Sequence, residues 1–217
     1  MFERYDIEQV LPGDIERRSM QIISDELTEM GIELDPRNEA VVKRVIHTAA
    51  DFDYAENLAF SDGAVDAGVA ALKRGATIVT DTQMARAGVS KPALAKLGGS
   101  VECYMSDDDV AAAAKEAGTT RAVACMDKAC SIEGDLIIAI GNAPTALIHL
   151  AELIEAGRIR PALVIGVPVG FVNVVVSKEI IMDAGVPYIV ACGRKGGSNV
   201  AAAICNAMLY EATGREL

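Results

Sequence analysis

Proton transfer near neutral pH is the chemistry most easily assigned here, because the chain has only two histidines, His47 and His149. An imidazole can give a proton to a substrate and take it back, since its ordinary pKa lies near neutrality. A histidine acid or base must therefore be one of these two residues. His149 follows Pro144 in a predicted helix, opposite the apolar stripe of that helix, and we interpret it as a surface residue.

His47 lies in a predicted helix that follows Pro36 and continues to about Leu58. Apolar residues form one stripe of this helix: Val41, Val42, Val45, Ala49 and Phe52. At about 100° per residue, His47 falls on the opposite side. One interpretation is a solvated surface histidine. The other is a small apolar face, shared with Ala40, Ala50 and Tyr54, that borders a pocket or packs on a partner subunit.

Ser19 shows the reverse pattern. It falls among Ile15, Ile22, Ile23 and Met30, which define the apolar side of the first predicted helix. Two interpretations remain open, because the hydroxyl can bond back to the carbonyl four residues earlier or point into a site.

Four basic residues on the first two helices would form a basic zone on an acidic protein: Arg17, Arg18, Lys43 and Arg44. A solvated charged face is the usual explanation for such runs. The pattern alone assigns them no chemistry.

Glycine-rich turns suggest anion binding, because exposed backbone N–H groups at a helix N-terminus hold phosphates or carboxylates. The segments Gly166–Gly170 and Gly193–Gly197 lack the GxGxxG spacing, and no GxxxxGK[ST] motif is present. An ordinary dinucleotide enzyme or a P-loop NTPase therefore lacks its fingerprint. Tight turns explain the glycines equally well, and carboxylate binding remains open.

Other catalytic signatures are missing from the sequence, which has no GxSxG, HExxH or CxxC motif and no carboxylate cluster typical of a metal site. We expect no protein-bound metal. The run Asp107–Asp109 is interpreted as a helix N-terminus. The five cysteines are predicted to be reduced and buried.

Composition excludes several partners. The 217 residues carry a formal charge of −11, which disfavours nucleic acid and an acidic membrane surface. Met1–Val10 is charged and lacks an apolar run, and no apolar stretch reaches about 18 residues. We therefore predict a cytoplasmic protein without a signal peptide or membrane span.

Strands alternating with helices predict a three-layer α/β fold with a mostly parallel five-stranded sheet. The strand candidates are Ala76–Thr80, Val101–Met105, Leu136–Ile140, Ala162–Ile165 and Tyr188–Ala191. We expect one domain over residues 1–217, with the helices of residues 1–60 forming a hairpin docked on the sheet. Ligands of such folds bind beyond the carboxyl ends of the strands.

Several strings at these strand ends and on the first two helices resemble the precorrin-8X methylmutase family. They are Arg18-Ser19-Met20, His47 in VIHTA, Phe60-Ser61, TDTQM from Thr80, IGNAPTAL from Ile140, GVPVGFVN from Gly166, Ser177-Lys178 and GRKGGS from Gly193. The resemblance runs from about residue 12 to 210. The resemblance is specific because several long strings occur together in the same order, which is hard to obtain by chance.

This resemblance implies an isomerase of cobalamin biosynthesis. The reaction moves a methyl group between neighbouring ring C carbons of precorrin-8X or cobalt-precorrin-8, a 1,5-sigmatropic shift that gives hydrogenobyrinate or cobyrinate. The resemblance implies no redox or nucleotide cofactor, and it implies a homodimer with the tetrapyrrole pocket near the subunit interface. Whether the ring carries cobalt remains open.

The resemblance also implies roles for individual residues. The family's catalytic histidine matches His47, the general acid that protonates the substrate and takes the proton back. Ser19 and Arg121 match substrate contacts. The assignment of substrate-binding residues extends further to Thr82, Arg86, Asn142 and Lys178.

A polycarboxylate substrate conflicts with the net charge of −11, so arginines and oriented N–H groups are expected around its arms. Met84, Val167 and Val169 are candidates for apolar walls, and the stretch Cys125–Glu133 matches no part of the family pattern. Two alternatives remain: a corrinoid carrier that binds without converting, and a phosphate-dependent α/β enzyme, against which the missing fingerprints count.

Overall fold

The computed structural model describes residues 8–11 and 14–215. It contains a six-stranded sheet with the strands β1 Leu58–Phe60, β2 Thr77–Thr80, β3 Ser100–Glu102, β4 Leu136–Ile140, β5 Leu163–Gly166 and β6 Tyr188–Ala191. The helices are α1 Ile15–Glu29, α2 Glu39–Ala49, α3 Tyr54–Asn57, α4 Ala64–Lys73, α5 Gln83–Gly88, α6 Lys91–Lys96, α7 Asp108–Glu116, α8 Arg121–Ala129, α9 Pro144–Glu155, α10 Val174–Met182 and α11 Ser198–Ala212.

The strand order is β1-β6-β5-β4-β2-β3, and every neighbouring pair is parallel except β1 and β6. The prediction of a mostly parallel α/β sheet is confirmed. The predicted strand number was wrong by one, because β1 is three residues long and follows a helical segment directly. It adds an antiparallel edge, with Leu58 opposite Ala191.

Strand β4 is covered by core residues on both faces of the sheet. All five of its residues are buried. Ile137 and Ala139 join the core on one face of the sheet, while Leu136, Ile138 and Ile140 join the core on the other face. This alternation is the period of a strand, and a continuous apolar run is typical of a parallel strand covered on both sides.

Helices α4, α5 and α11 pack on one side of the sheet, and α7 to α10 form the layer on the other side. Helix α2 packs on α11 and α1 packs on α2. The predicted second helix was too long, because α2 ends at Ala49 and Ala50 takes a left-handed conformation with φ of 49°. Residues that follow this turn belong to α3 and β1.

The buried face of α1 also differs from the prediction. Met20, Ile23 and Leu27 are buried, whereas Ile15 is 54% and Met30 is 55% exposed. Of the predicted stripe only Ile23 is buried, because the side of α1 that packs on α2 runs through Met20, Ile23 and Leu27, and Ile15, Ile22 and Met30 lie off it.

Within residues 8–11 and 14–215, no helix combines the length and apolarity needed to cross a bilayer. Of the N-terminal stretch that is predicted to lack a signal peptide, residues 1–7 lie outside the described residues.

His149 was predicted to be a surface residue, but its side chain links α8 to α9. Its side chain is 21% exposed, and its Nε2 and Nδ1 lie 3.1 Å from Asp127 and 2.9 Å from Glu152. Burial acts to lower the pKa of His149, but the bonds to the two carboxylates outweigh it and raise the pKa above its ordinary value of 6.5. A raised pKa means that the stabilisation is present below pH 6.5 and is lost as the pH rises through the folded value.

We therefore expect His149→Gln to lower the free energy of unfolding by about 0.5 kcal/mol near pH 5.5 and by much less near pH 9, since both carboxylates are partly exposed. Urea unfolding at the two pH values measures this. Arg158→Gln is the matched control, because Arg158 contacts the same Asp127 at 3.4 Å and keeps its charge throughout. An equal effect of His149→Gln at both pH values would contradict the link.

Candidate active site

The candidate site is built where the carboxyl ends of the parallel strands meet. Loops that leave β2, β4, β5 and β6 converge there, as expected for ligand sites in this fold class. The polar strings singled out in the sequence occupy these loops, so their general location was predicted correctly.

Asp81, directly after β2, organises this edge. Its carboxylate is 1% exposed and accepts hydrogen bonds from the backbone N–H groups of Gly141, Asn142 and Ala143 at 2.9, 2.8 and 2.7 Å. Burial raises the pKa of Asp81, although the three N–H bonds act in the opposite direction. The N–H groups of the turn after β4 therefore bind a carboxylate of the protein itself.

Thr82 and the turn after β4 both meet the start of α11. The hydroxyl oxygens of Thr82 and Ser198 lie 2.7 Å apart, and Thr82 also accepts a bond from the N–H of Ala85, which caps α5. A Cβ on Gly141 would lie 2.7 Å from the Cα of Ser198, so only glycine fits there. Thr82 and the exposed Asn142 are thus brought to the same place.

Arg121 lies beside this turn. It is the first residue of α8, and the preceding Thr120 hydroxyl lies 3.5 Å from that of Thr145, in the first turn of α9. Arg121 is exposed and donates one bond, to the carbonyl of Met105 at 3.3 Å. A guanidinium has five N–H donors, so most of its capacity is free for a carboxylate.

Arg86 and Lys178 are placed differently from Arg121. Arg86 donates to the carbonyl of Val101 at 3.1 Å, and its side chain is 43% exposed. Lys178 is fully buried, and its ammonium donates to the carbonyls of Gly193 and Lys195 at 2.9 and 2.8 Å. Burial lowers the pKa of Lys178 to about 8. This placement favours a role in holding the loop after β6 over the predicted contact with substrate.

His47 is exposed in the last turn of α2, off the buried side of that helix, as the stripe predicted. Tyr54, expected beside it, is instead in the core at 3% exposure, because the turn at Ala50 ends the helix first. Ser19 is half-buried and donates its hydroxyl to the carbonyl of Ile15 at 2.9 Å, which is the first of its two interpretations.

The loop after β6 joins the end of α2, which carries His47, to Thr82 at the carboxyl edge of the sheet. The Lys195 ammonium lies 2.6 Å from Asp51 and 2.5 Å from Asp53, which follow α2. At its other end the loop leads into Ser198, which contacts Thr82. The same loop lies against the residue that follows β5, because a Cβ on Gly196 would approach the Val167 carbonyl to 2.1 Å. The end of α2 that carries His47 is thus fixed to the edge of the sheet.

Apolar side chains are exposed at the same edge. Met84 is 70% and Val169 is 49% exposed, whereas Val167, also expected as a wall, is fully buried. Phe171 is 82% exposed, and the Arg194 guanidinium carbon lies 5.4 Å from its ring centroid. Apolar faces next to cations suit a flat, anionic, largely apolar ligand.

Comparisons with known proteins agree on one family. A family model described as Precorrin-8X methylmutase matches residues 14–211. The chain is similar to the Cobalt-precorrin-8 methylmutase of Salmonella typhimurium, with 45% identity covering 92% of this chain and 95% of that protein. It is also similar to the Precorrin-8X methylmutase of Pseudomonas aeruginosa, with 44% identity covering 91% and 94%. A crystal structure of a precorrin-8X methylmutase from Thermus thermophilus matches with a TM-score of 0.85 and 38% identity, over 94% of this chain and 100% of that chain.

Proposed function

The chain belongs to the precorrin-8X methylmutase family, and from this premise we propose that it isomerises a precorrin-8 tetrapyrrole at the carboxyl edge of its sheet, with His47 as proton donor and acceptor. It is an isomerase of cobalamin biosynthesis. The observation that carries the proposed site is the exposed His47, fixed through Asp51 and Lys195 to the edge that Arg121 borders.

The chemistry proposed for His47 balances without a further reactant. The imidazole gives a proton to the macrocycle, the methyl group breaks its bond to one ring C carbon and bonds to the neighbouring carbon, and the proton returns to His47. Substrate and product have the same atoms and the same number of electrons. A positioned acid of this kind contributes about 10²–10⁴-fold to the rate.

Substrate binding is proposed for Thr82, Arg86, Arg121 and Asn142 around the edge, and for the half-buried Ser19 on α1. The arginines would hold carboxylate arms through charge-assisted hydrogen bonds, which act locally against the net charge of −11. Lys178 would act on the loop after β6 and not on the substrate, because its ammonium is enclosed by that loop.

We also propose a homodimer in the cytoplasm. The exposed apolar side chains of Ile15 and Ile22 on α1, and of Met30 directly after it, offer a face that a second copy could cover. The described chain has five free cysteines, which suits a reducing compartment.

Sequence similarity does not show whether the substrate contains cobalt, because relatives with and without cobalt in their names are 45% and 44% identical to this chain. The test is the visible absorption spectrum over time after the protein is mixed with metal-free or cobalt-loaded precorrin-8 in separate cuvettes. We expect conversion to the product chromophore, and the faster cuvette identifies the substrate. Binding without conversion in both cuvettes would contradict the proposed reaction and favour the carrier alternative, which the comparisons do not support.

Arg121→Ala is expected to weaken tetrapyrrole binding about tenfold at low salt, because one charge-assisted hydrogen bond is lost. Titration of the bound chromophore at several salt concentrations measures this. The difference from the unmodified protein should shrink as salt rises, because salt screens the lost attraction. Arg160→Ala is the control, since Arg160 is equally exposed but precedes β5 at the opposite edge of the sheet. Unchanged affinity of Arg121→Ala at every salt concentration would remove Arg121 from the site.

A further inference from the structure

Arg44 is a buried cation next to the proposed catalytic histidine. It is 7% exposed, although arginine is rarely buried without a partner. Its Nη2 lies 2.5 Å from Glu16 on α1, and its guanidinium carbon lies 5.1 Å from the ring centroid of Tyr210 on α11. Three helices therefore hold this guanidinium in place.

The guanidinium also reaches His47. Arg44 and His47 are three residues apart on α2, and Arg44 Nη1 lies 3.5 Å from His47 Nδ1. An arginine side chain is permanently protonated and has no acceptor, so it can only donate to a nitrogen with a free lone pair. An Nδ1 that accepts this bond carries no proton. The proton of the neutral ring is then on Nε2.

Resting on the proposed role of His47, we infer that Arg44 is a positioning residue that holds the Nδ1 of His47 as an acceptor and so keeps the reactive proton on Nε2. The cation on Nδ1 withdraws electron density from the ring and makes Nε2–H a stronger donor. Loss of the Nε2 proton to the macrocycle leaves an imidazolate anion, which the adjacent Arg44 guanidinium stabilises. The proton then returns to the same nitrogen, so the ring orientation need not change during the reaction.

Other charged and titratable groups surround Arg44. Glu16 faces it from α1, while Arg215 lies 2.7 Å from the second Glu16 oxygen and stacks 4.2 Å from the centroid of Tyr210. Burial raises the pKa of Glu16, but the bond to Arg44 and the charges of Arg44, Arg215 and His47 lower it below the usual range. The Glu16 anion thus compensates the buried Arg44 charge and leaves Nη1 to His47.

The test combines a spectroscopic signature with kinetics. Nitrogen NMR of the His47 side chain, at a pH where the ring is neutral, should show one tautomer with the proton on Nε2 in the unmodified protein. In Arg44→Met we expect a mixture of tautomers, and a turnover number about tenfold lower with little change in KM. Arg44→Lys, which keeps a cationic donor, should restore part of the turnover and serves as the second variant if Arg44→Met does not fold.

Arg215→Met is the matched control, because Arg215 contacts the same Glu16 and Tyr210 as Arg44. The guanidinium that contacts His47 is that of Arg44. It should leave the tautomer and the turnover unchanged. The inference is overturned if Arg44→Met and the unmodified protein have the same tautomer distribution, or if Arg215→Met reproduces the loss. A failure of the proposed function would give a different result. Turnover would then persist in His47→Ala, while Arg44→Met would still change the tautomer distribution of His47.

Discussion

His47→Ala is expected to abolish most turnover, with a rate lower by about 10²–10⁴-fold, while folding and tetrapyrrole binding persist. Folding should persist because His47 is exposed at the end of α2 and fills no part of the core. We expect the free energy of unfolding to change by less than about 0.5 kcal/mol, as for other surface substitutions. Binding should persist because the proposed carboxylate contacts lie on other elements. The measurement is the single-turnover rate of product-chromophore formation, with binding followed by titration.

His149→Ala is the matched control, since it removes the second histidine from the helical layer on the other side of the sheet. Its rate should equal that of the unmodified protein. If His47→Ala converts substrate at a near wild-type rate, another group supplies the proton. If it loses binding as well as turnover, His47 holds the macrocycle and the general-acid assignment loses its support.

The fold class could be predicted because its signals are local. The buried run Leu136–Ile140 has the length and residue types of an internal parallel strand, and Pro144 begins α9 as predicted. Since parallel strands end at one edge, the polar strings after them also had to meet there.

The missed features depend on contacts between distant parts of the chain. Asp81 reads as one more polar residue after a strand, and its three partners lie 60 to 62 residues away. Lys178 was assigned to the substrate by the family resemblance, and its burial depends on the carbonyls 15 and 17 residues later that enclose it. Likewise, no periodicity shows which side of α1 rests on α2.

The candidate catalytic residue shows the limit most clearly. Helical periodicity placed His47 off the core stripe, which suits a solvated histidine and a catalytic one equally. Only the family resemblance assigned it a reaction. The structure adds Arg44, a basic residue that the sequence pattern assigned to a solvated face but that is buried against His47.

Asp81→Asn is expected to destabilise the protein by about 2–5 kcal/mol, because each buried N–H group left without an acceptor costs about 1–3 kcal/mol. One carboxylate oxygen accepts from Gly141, and the other accepts from both Asn142 and Ala143. An asparagine side chain has the same shape but only one acceptor oxygen, so its amide group would face backbone N–H donors. The turn that carries Asn142 should loosen, and turnover should fall with it.

Two measurements separate this effect from a general loss of stability. Urea unfolding gives the free energy, and amide hydrogen exchange at Gly141, Asn142 and Ala143 reports the three bonds directly. We expect exchange at these amides to accelerate more than in the core of β4, which adjoins the turn. Asp108→Asn, the same change at an exposed carboxylate on α7, should alter neither quantity. A stability within about 0.5 kcal/mol of the unmodified protein, with unchanged exchange, would mean that these N–H groups do not depend on the carboxylate.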